Sequence, residues 1–288
     1  MTGFTLDWLR LRASADLAAR NPTLARHFAA ALPIARPARI VDLGAGSGAQ
    51  CRALLPRIAG DQAWTLIDRD RELIAAQAGE FTLWARRQGY PVLAGGGRVA
   101  IDARPARWQI DALPLDLAAD LASLAEIDAD GMTAAAFFDL VSPAWLERFV
   151  AILAKQRVPL LAALTVDGKR DWQPIIAEDA IVAAAFARHQ HRDKGSGPAL
   201  GGDAPAALEK HLRAAGFRIA RAVSDWQLDA RDETLLSALI ASEAGAAREA
   251  SPEAIDRIDA WEAQRRRHLT ARRLRLTVGH CDLLALPA

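Results

Sequence analysis

Hydrophobic and polar positions change period several times along the chain, and each change marks an element. In residues 5–32 apolar positions recur at spacings of three and four, which predicts two helices parted at Asn21-Pro22. The apolar run "ARIVDL" reads as a buried strand and "GAQCRALLPRIAG" as a helix closed by Gly60. "WTLID" is the next strand, and "RDRELIAAQAGEFTLWARRQG" a helix ending at Gly89. After a glycine-rich connection, "GYPVLAGGG", strand-like segments fall near Val99–Asp102 and Arg107–Leu113, with a short helix in "DLAADLASL". "AEIDADGMTAAAFFDLVSPAWLERFVAILAKQ" holds a strand and a long helix that restarts or kinks at Ser142-Pro143. "VPLLAALTV" is the most strand-like segment of the middle region. Strands alternating with helices imply parallel strands joined by right-handed crossovers, hence a doubly wound α/β sheet.

The last third differs. A helix, "DAIVAAAFARHQH", runs into the loop "RDKGSGPALGGDAP", then come a helix, "AALEKHLRAAG", and a strand, "FRIARAVSDWQL". About forty polar-patterned helical residues precede a final strand, "RLRLTVGHCDLLALP". No internal repeat and no Pro- or Ser-rich linker interrupts the chain. We therefore expect one domain: helices over 1–35, a sheet core over 36–230 and 271–288, and a helical insertion over 231–270.

Composition narrows the picture. The 288 residues, 51% hydrophobic, suffice for a sizeable core. Lys+Arg 36 against Asp+Glu 35 leaves a formal net charge of +1, which gives no electrostatic reason to expect nucleic acid or an anionic membrane as partner. The basic run from Arg265 to Arg275 shares its hairpin with Asp256, Asp259 and Glu262 and reads as a solvated helix face. Two cysteines, Cys51 and Cys281, do not make a disulfide framework or a thiolate metal site, and no metal is expected. The N-terminus lacks a signal peptide's apolar stretch and no run approaches the length of a spanning helix, so a soluble, cytoplasmic protein is expected.

The chemistry starts at "VDLGAGSG". Glycines 44, 46 and 48 let the chain turn sharply out of a strand and leave no side chain between backbone and a ligand at the following helix N-terminus. About 20 residues on, Asp68 ends "WTLID", where the second strand of such a fold brings a carboxylate to ribose hydroxyls. The loop also satisfies the dinucleotide pattern G-x-G-x-x-[GA]. Asp42, two residues before Gly44, suits a cationic amino group and is a poor neighbour for a pyrophosphate.

These residues resemble the first motif of class I S-adenosylmethionine-dependent methyltransferases, and "LIDRD" resembles that family's second-strand acidic motif. The resemblance implies a Rossmann-like, mostly parallel seven-stranded sheet with an antiparallel last strand. It also implies S-adenosylmethionine as cofactor, held by Asp42, Gly44, Ala45, Gly46, Gly48, Asp68 and Arg69. "LPLDLA" would place Asp116 and Leu117 at the adenine, and "DADGMTAAAFFDLVS" would bring Met132, Thr133 and Ala134 to the methyl donor. The motif Asn/Asp-Pro-Pro-Tyr/Phe is missing from that strand, which argues against DNA bases or glutamine as acceptors. A small-molecule acceptor, methylated on oxygen or nitrogen, is the expectation. The helical insertion would cover its pocket or make a homodimer contact.

Other candidates follow the fifth strand. His189 and His191 could act as bases or touch substrate, or could be a solvated helix end. Arg192 and Lys194 could hold an anionic acceptor, and Trp172 could wall its pocket or simply pack under a loop. Arg12, Asp16 and Arg20 share a helix face, as an i,i+4 charge ladder or with an arginine reaching the cofactor's carboxylate. A non-catalytic S-adenosylmethionine-binding protein would keep the same loop. An NAD-dependent oxidoreductase would as well, though no Tyr-x-x-x-Lys pair is present and the sole tyrosine is Tyr90.

Overall fold

The computed structural model describes residues 4–288. Two helices, α1 (Leu6–Ala19) and α2 (Pro22–Ala30), open the chain, parted by Asn21, whose side chain caps α2 by accepting from the N–H groups of Thr23 and Leu24. A parallel core follows: β1 (Ala38–Leu43), α3 (Ala49–Leu54), β2 (Gln62–Asp68) and α4 (Arg71–Arg87). The helix after β1 is shorter than the sequence pattern predicts, because Pro56 turns its end into a 3₁₀ turn over Leu55–Arg57. Next come β3 (Val92–Gly95), β4 (Arg98–Ala103), β5 (Ala106–Pro114), β6 (Gly131–Ala135), α5 (Pro143–Gln156) and β7 (Leu160–Gln173). Ser142 starts α5, its hydroxyl accepting from the Trp145 N–H, with Pro143 in the first turn. The chain closes with α6 (Asp179–Gln190), α7 (Ala204–Ala214), β8 (Phe217–Val223), β9 (Trp226–Leu228), α8 (Glu233–Ala250), α9 (Ile255–Thr270) and β10 (Arg275–Pro287).

Among the described residues the sheet has ten strands, not the seven expected. Its order is β3-β4-β5-β2-β1-β6-β7-β10-β8, with β9 on β10. Strands β5, β2, β1, β6 and β7 are parallel, and β10 runs antiparallel to both β7 and β8. Seven of the strands thus give the expected arrangement. The additions are the β3–β4 hairpin on one edge and the short β9. The segment read as a glycine-rich connection is that hairpin: Gly95 pairs with Arg98, and Gly96 and Gly97 between them both take positive φ, as a two-residue turn requires.

Alternation along the central strands fills both faces. Val41 and Leu43 pack with α5 and α7, whereas Ile40 packs with α2, α3 and α4. A third apolar cluster joins α6, α8 and α9 to the far end of β7 and to β9 and β10, and it includes Trp172, Trp226 and Trp261. The insertion between the last strands is therefore packed onto the sheet's end, where it overhangs the parallel strands' C-terminal edge.

Two irregularities shape that edge. Between paired residues Val166↔His280 and Arg170↔Val278, β7 carries three residues, Asp167, Gly168 and Lys169, against one, Gly279, on β10. Gly168 sits at φ +85°, and a Cβ on Gly279 would stand 2.0 Å from Asp167 Oδ1, so the bulge closes only over glycine. Deeper in the pair, Leu164 takes φ +53° and its N–H donates to Asp282 Oδ1 at 2.7 Å. The other Asp282 oxygen accepts from the Asn21 N–H at 2.8 Å, tying this second bulge to the N-terminal helices.

Among the described residues, no helix is long and apolar enough to cross a membrane, and no group of three or more His, Cys, Asp or Glu is placed to hold a metal ion.

Candidate functional site

A cleft of about 510 Å³ lies along the C-terminal ends of β1, β2, β5 and β6 and is closed by residues of α1, α6 and α8. Its near half is built on the glycine loop. Gly44, Gly46 and Gly48 all take positive φ, and a Cβ on Gly44 would fall 2.4 Å from the Phe137 ring. The loop is pinned to the end of β2: Ala45 N–H donates to the Ile67 carbonyl at 2.8 Å, and Gly46 N–H to Asp68 Oδ2 at 2.7 Å. Asp68 Oδ1 accepts from the Asp70 N–H at 2.9 Å, so both oxygens face backbone donors while retaining lone pairs toward the cleft.

Asp42 is the unusual group. It lies on the face of β1 shared with Ile40, fully buried, and neither carboxylate oxygen has a hydrogen-bond partner. Burial pushes its carboxyl up to about 8, against the pull of the nearby Arg20 guanidinium. Arg20 in turn donates to Gln50, whose amide donates to Thr133 Oγ1 at 2.7 Å, and the threonine hydroxyl donates to the Leu161 carbonyl at 3.1 Å. An unsatisfied carboxyl and a guanidinium therefore line one end of the cleft together. Such a pair complements a ligand carrying an ammonium and a carboxylate on one carbon.

Of the residues expected to hold the cofactor, Asp42, Gly44, Ala45, Gly46, Asp68, Arg69, Asp116 and Leu117 line the cleft. Gly48 and Thr133 do not. Gly48 caps the start of α3, with the Phe81 ring where a Cβ would go, and Thr133 lies buried under Gln50. Asp116 accepts from the Ala118 N–H at 2.9 Å, and its other oxygen is 3.9 Å from the Arg69 guanidinium.

The substrate-side candidates separate. His189 and Lys194 line the cleft; His191, Arg192 and Trp172 do not. His191 follows the end of α6 and turns away, Nδ1 3.0 Å from the Ala199 carbonyl, and Arg192 is bonded to Glu249 at 2.9 Å. Trp172 is buried edge-on against Trp261 and donates to Glu243 Oε2 at 2.9 Å, so it supports a cleft residue from behind instead of forming the wall. His189 Nε2 lies 3.3 Å from Glu249, and burial with Lys194 and Arg192 nearby lowers its pKa. The charge ladder on α1 forms in part: Arg12 meets Asp16 through two hydrogen bonds of 2.9 and 3.0 Å, yet Arg12, Asp16 and Arg20 all line the cleft.

Asp139, Arg170, Glu243 and His280 are ionisable cleft residues that the sequence pattern did not single out. Arg170 and His280 flank the β7–β10 bulge, which the paired glycines 168 and 279 could have signalled. Glu243 is an isolated acid on the apolar face of α8, buried at 3% exposure with its Oε1 3.1 Å from Arg170 Nη1. Cys51 is buried against the β1–β2 core and its thiol is pushed well up by burial, which leaves it inert.

No protein-family model matches the chain, and no curated protein matches it in sequence. Among solved structures, it is similar to an S-adenosylmethionine-dependent methyltransferase from Thiobacillus denitrificans in complex with S-adenosyl-L-homocysteine, at 14% identity over 100% of both chains, TM-score 0.44. It is also similar to such an enzyme from Geobacter sulfurreducens with the same ligand, at 14% identity over 100% of both chains, TM-score 0.45. A putative methyltransferase from Bacillus halodurans overlaps 92% of this chain and 99% of its own, at 12% identity and TM-score 0.46.

Proposed function

We propose that the chain is an S-adenosylmethionine-dependent methyltransferase acting on a small-molecule acceptor. The observation that carries this reading is the buried, unpartnered carboxyl of Asp42 beside Arg20, at the mouth of a glycine loop. An unsatisfied buried carboxyl is costly unless something completes it. The ammonium of the cofactor's amino-acid end supplies the missing donor, and Arg20 takes its carboxylate. A pyrophosphate at the same place offers acceptors alone and no donor to the Asp42 carboxyl, so a nicotinamide dinucleotide fits poorly.

The remaining near-half residues fit the rest of that ligand. Asp68 accepts from the ribose hydroxyls with the lone pairs left over from Gly46 and Asp70, and Asp116 with Leu117 meets the adenine. When bound, the cofactor supplies an electrophilic methyl carbon on sulfonium sulfur, and the acceptor atom bonds that carbon while sulfur keeps the electron pair. The protein's part is alignment and the exclusion of water, with a base where the acceptor has a proton to lose. Helices α1 and α8, which close the cleft, supply the exclusion.

Calorimetric titration with S-adenosylhomocysteine, with NAD in a parallel cell, tests the reading. Binding of the former alone, weakened in Asp42→Asn, is the expected result. Binding of NAD, or of neither, overturns it.

A further inference from the structure

The part of the same cleft beyond the end of β6 forms its far chamber, and the walls there are of two kinds. Phe137, Phe186, Trp226, Leu239 and Val278 are apolar and mostly aromatic. The polar groups come from separate elements and converge. Arg12, on α1, is held by Asp16 and lies 4.9 Å over the Trp226 ring, whose Nε1 donates to the same aspartate at 3.1 Å. Arg170, on β7, is 3.1 Å from Glu243 of α8 and 4.8 Å over the Phe186 ring. Lys194 reaches in from the loop after α6, near His189.

Between these cations stands Asp139, whose Oδ1 is buried without a hydrogen-bond partner. Burial raises its carboxyl to about 6, against the combined pull of Arg12, Lys194 and Arg170. His280, from β10, also lines the chamber. Its Nδ1 is 3.0 Å from the Val278 carbonyl, a contact that only an N–H can satisfy, so Nε2 carries the lone pair. Burial, with Arg12 and Arg170 close by, lowers the imidazole to about 4 and keeps it neutral. The counter-charges Asp16 and Glu243 are engaged with their arginines, and Asp139 is the carboxyl left to exchange a proton.

We propose that this chamber takes a small acceptor with an acidic hydroxyl on a flat conjugated body, a phenol or enol, and binds its oxygen as the anion with Asp139 receiving the proton. The inference rests on the cofactor reading above. The aromatic walls hold the planar body, and the converging cations favour negative charge on the reacting oxygen. The O–H bond breaks toward Asp139, and the freed electron pair on oxygen bonds the methyl carbon as the carbon–sulfur bond breaks onto sulfur. The proton then leaves Asp139 for solvent. An ammonium-bearing acceptor would meet a net positive chamber instead, because Arg12, Arg170 and Lys194 outnumber the counter-charges Asp16 and Glu243.

The probe is 4-nitrophenol, whose anion absorbs where its neutral form does not. It is titrated into protein saturated with S-adenosylhomocysteine across pH 5–8. We expect the bound probe to ionise at least one pH unit below the free probe. That shift should fall by more than half in Lys194→Gln, a change on the loop after α6, and in the charge-conserving pair Arg170→Gln with Glu243→Gln. Asp139→Asn should keep the anion bound while ending proton uptake by the protein, measured in buffers of different ionisation enthalpy. A probe that binds without a shifted ionisation overturns the proposal. So does a probe that fails to bind, whether or not benzylamine binds in its place. If S-adenosylhomocysteine itself does not bind, the cofactor reading falls and takes this inference with it; if it binds and the phenolate is not favoured, only this inference falls.

Discussion

Asp42 and Arg20 lie close enough to feel each other's charge, yet no hydrogen bond joins them: the guanidinium is turned to Gln50 and the carboxyl has no partner. The folded protein therefore binds a proton on Asp42 up to about pH 8, while the unfolded chain loses it near pH 4. In that window the folded state holds more protons than the unfolded one, so this group lowers stability as pH rises, by roughly 1.4 kcal/mol per unit at mid-window. Asp42→Asn should remove that slope without disturbing the fold. Melting temperatures of the two proteins from pH 5 to 8.5 should diverge, the variant being the more stable at the alkaline end.

Ligand binding should show the opposite sign. A cationic group seated on Asp42 needs the carboxylate, so affinity for S-adenosylhomocysteine should rise between pH 6 and 8, by up to about tenfold per unit. In Asp42→Asn it should be weaker and flat over the same range. Calorimetry at three pH values measures both, and a flat wild-type profile would separate Asp42 from the ligand's ammonium.

Asp68 has a double task, bracing the loop through Gly46 and offering its remaining lone pairs to the cleft. Asp68→Ala should reduce S-adenosylhomocysteine affinity by roughly 10- to 100-fold, the equivalent of about 1.4–2.8 kcal/mol. The loss of two hydrogen bonds, from the Gly46 and Asp70 N–H groups, should lower stability by about 1–3 kcal/mol. Unchanged affinity in a folded variant would count against a ribose contact.

Two glycines should respond in opposite directions to alanine. Gly44 has φ +61° and the Phe137 ring 2.4 Å from a would-be Cβ, so Gly44→Ala should destabilise by about 1–3 kcal/mol. Gly79 is exposed within α4 with nothing within 4 Å of its would-be Cβ, and Gly79→Ala should stabilise by about 0.5–1 kcal/mol. Chemical denaturation of both variants checks the pair.

The near half of the cleft was legible because its chemistry is local. The glycine loop, Asp42 and Asp68 are fixed by one strand–loop–helix unit and the strand after it, and their spacing in sequence follows from their spacing in the fold. The far half was legible only in Arg12, His189 and Lys194, because Asp139, Arg170, Glu243 and His280 come from the β6–α5 loop, β7, α8 and β10, and only the folded sheet brings them together. Arg170 and His280 further depend on a bulge that lengthens β7 by two residues relative to β10, which no simple alternation of period two reveals. The edge hairpin was missed for a related reason: four exposed or half-buried residues in β3 carry little apolar signal.

Arg265 shows the same limit on the structural side. It belongs to the basic run read as a solvated face, yet it is completely buried. It donates to the Pro174 carbonyl and to Asp179, which also accepts from Trp261 Nε1 at 2.8 Å, and its guanidinium lies 5.3 Å over the Trp172 ring. It thus fastens α9 to the start of α6 and to the end of β7, behind the Trp172–Glu243 contact that backs the cleft. Arg265→Ala would leave Asp179 with a single side-chain donor, expose the Pro174 carbonyl to an empty space and open a cavity between two tryptophans. We expect a loss of about 3–5 kcal/mol. Arg266, one residue on, pairs with Glu262 on the exposed face, and Arg266→Ala should change stability by less than about 0.5 kcal/mol. Denaturation midpoints of the two variants, measured side by side, should differ by most of the 265 effect; equal midpoints would mean that the buried guanidinium does not hold the insertion to the sheet.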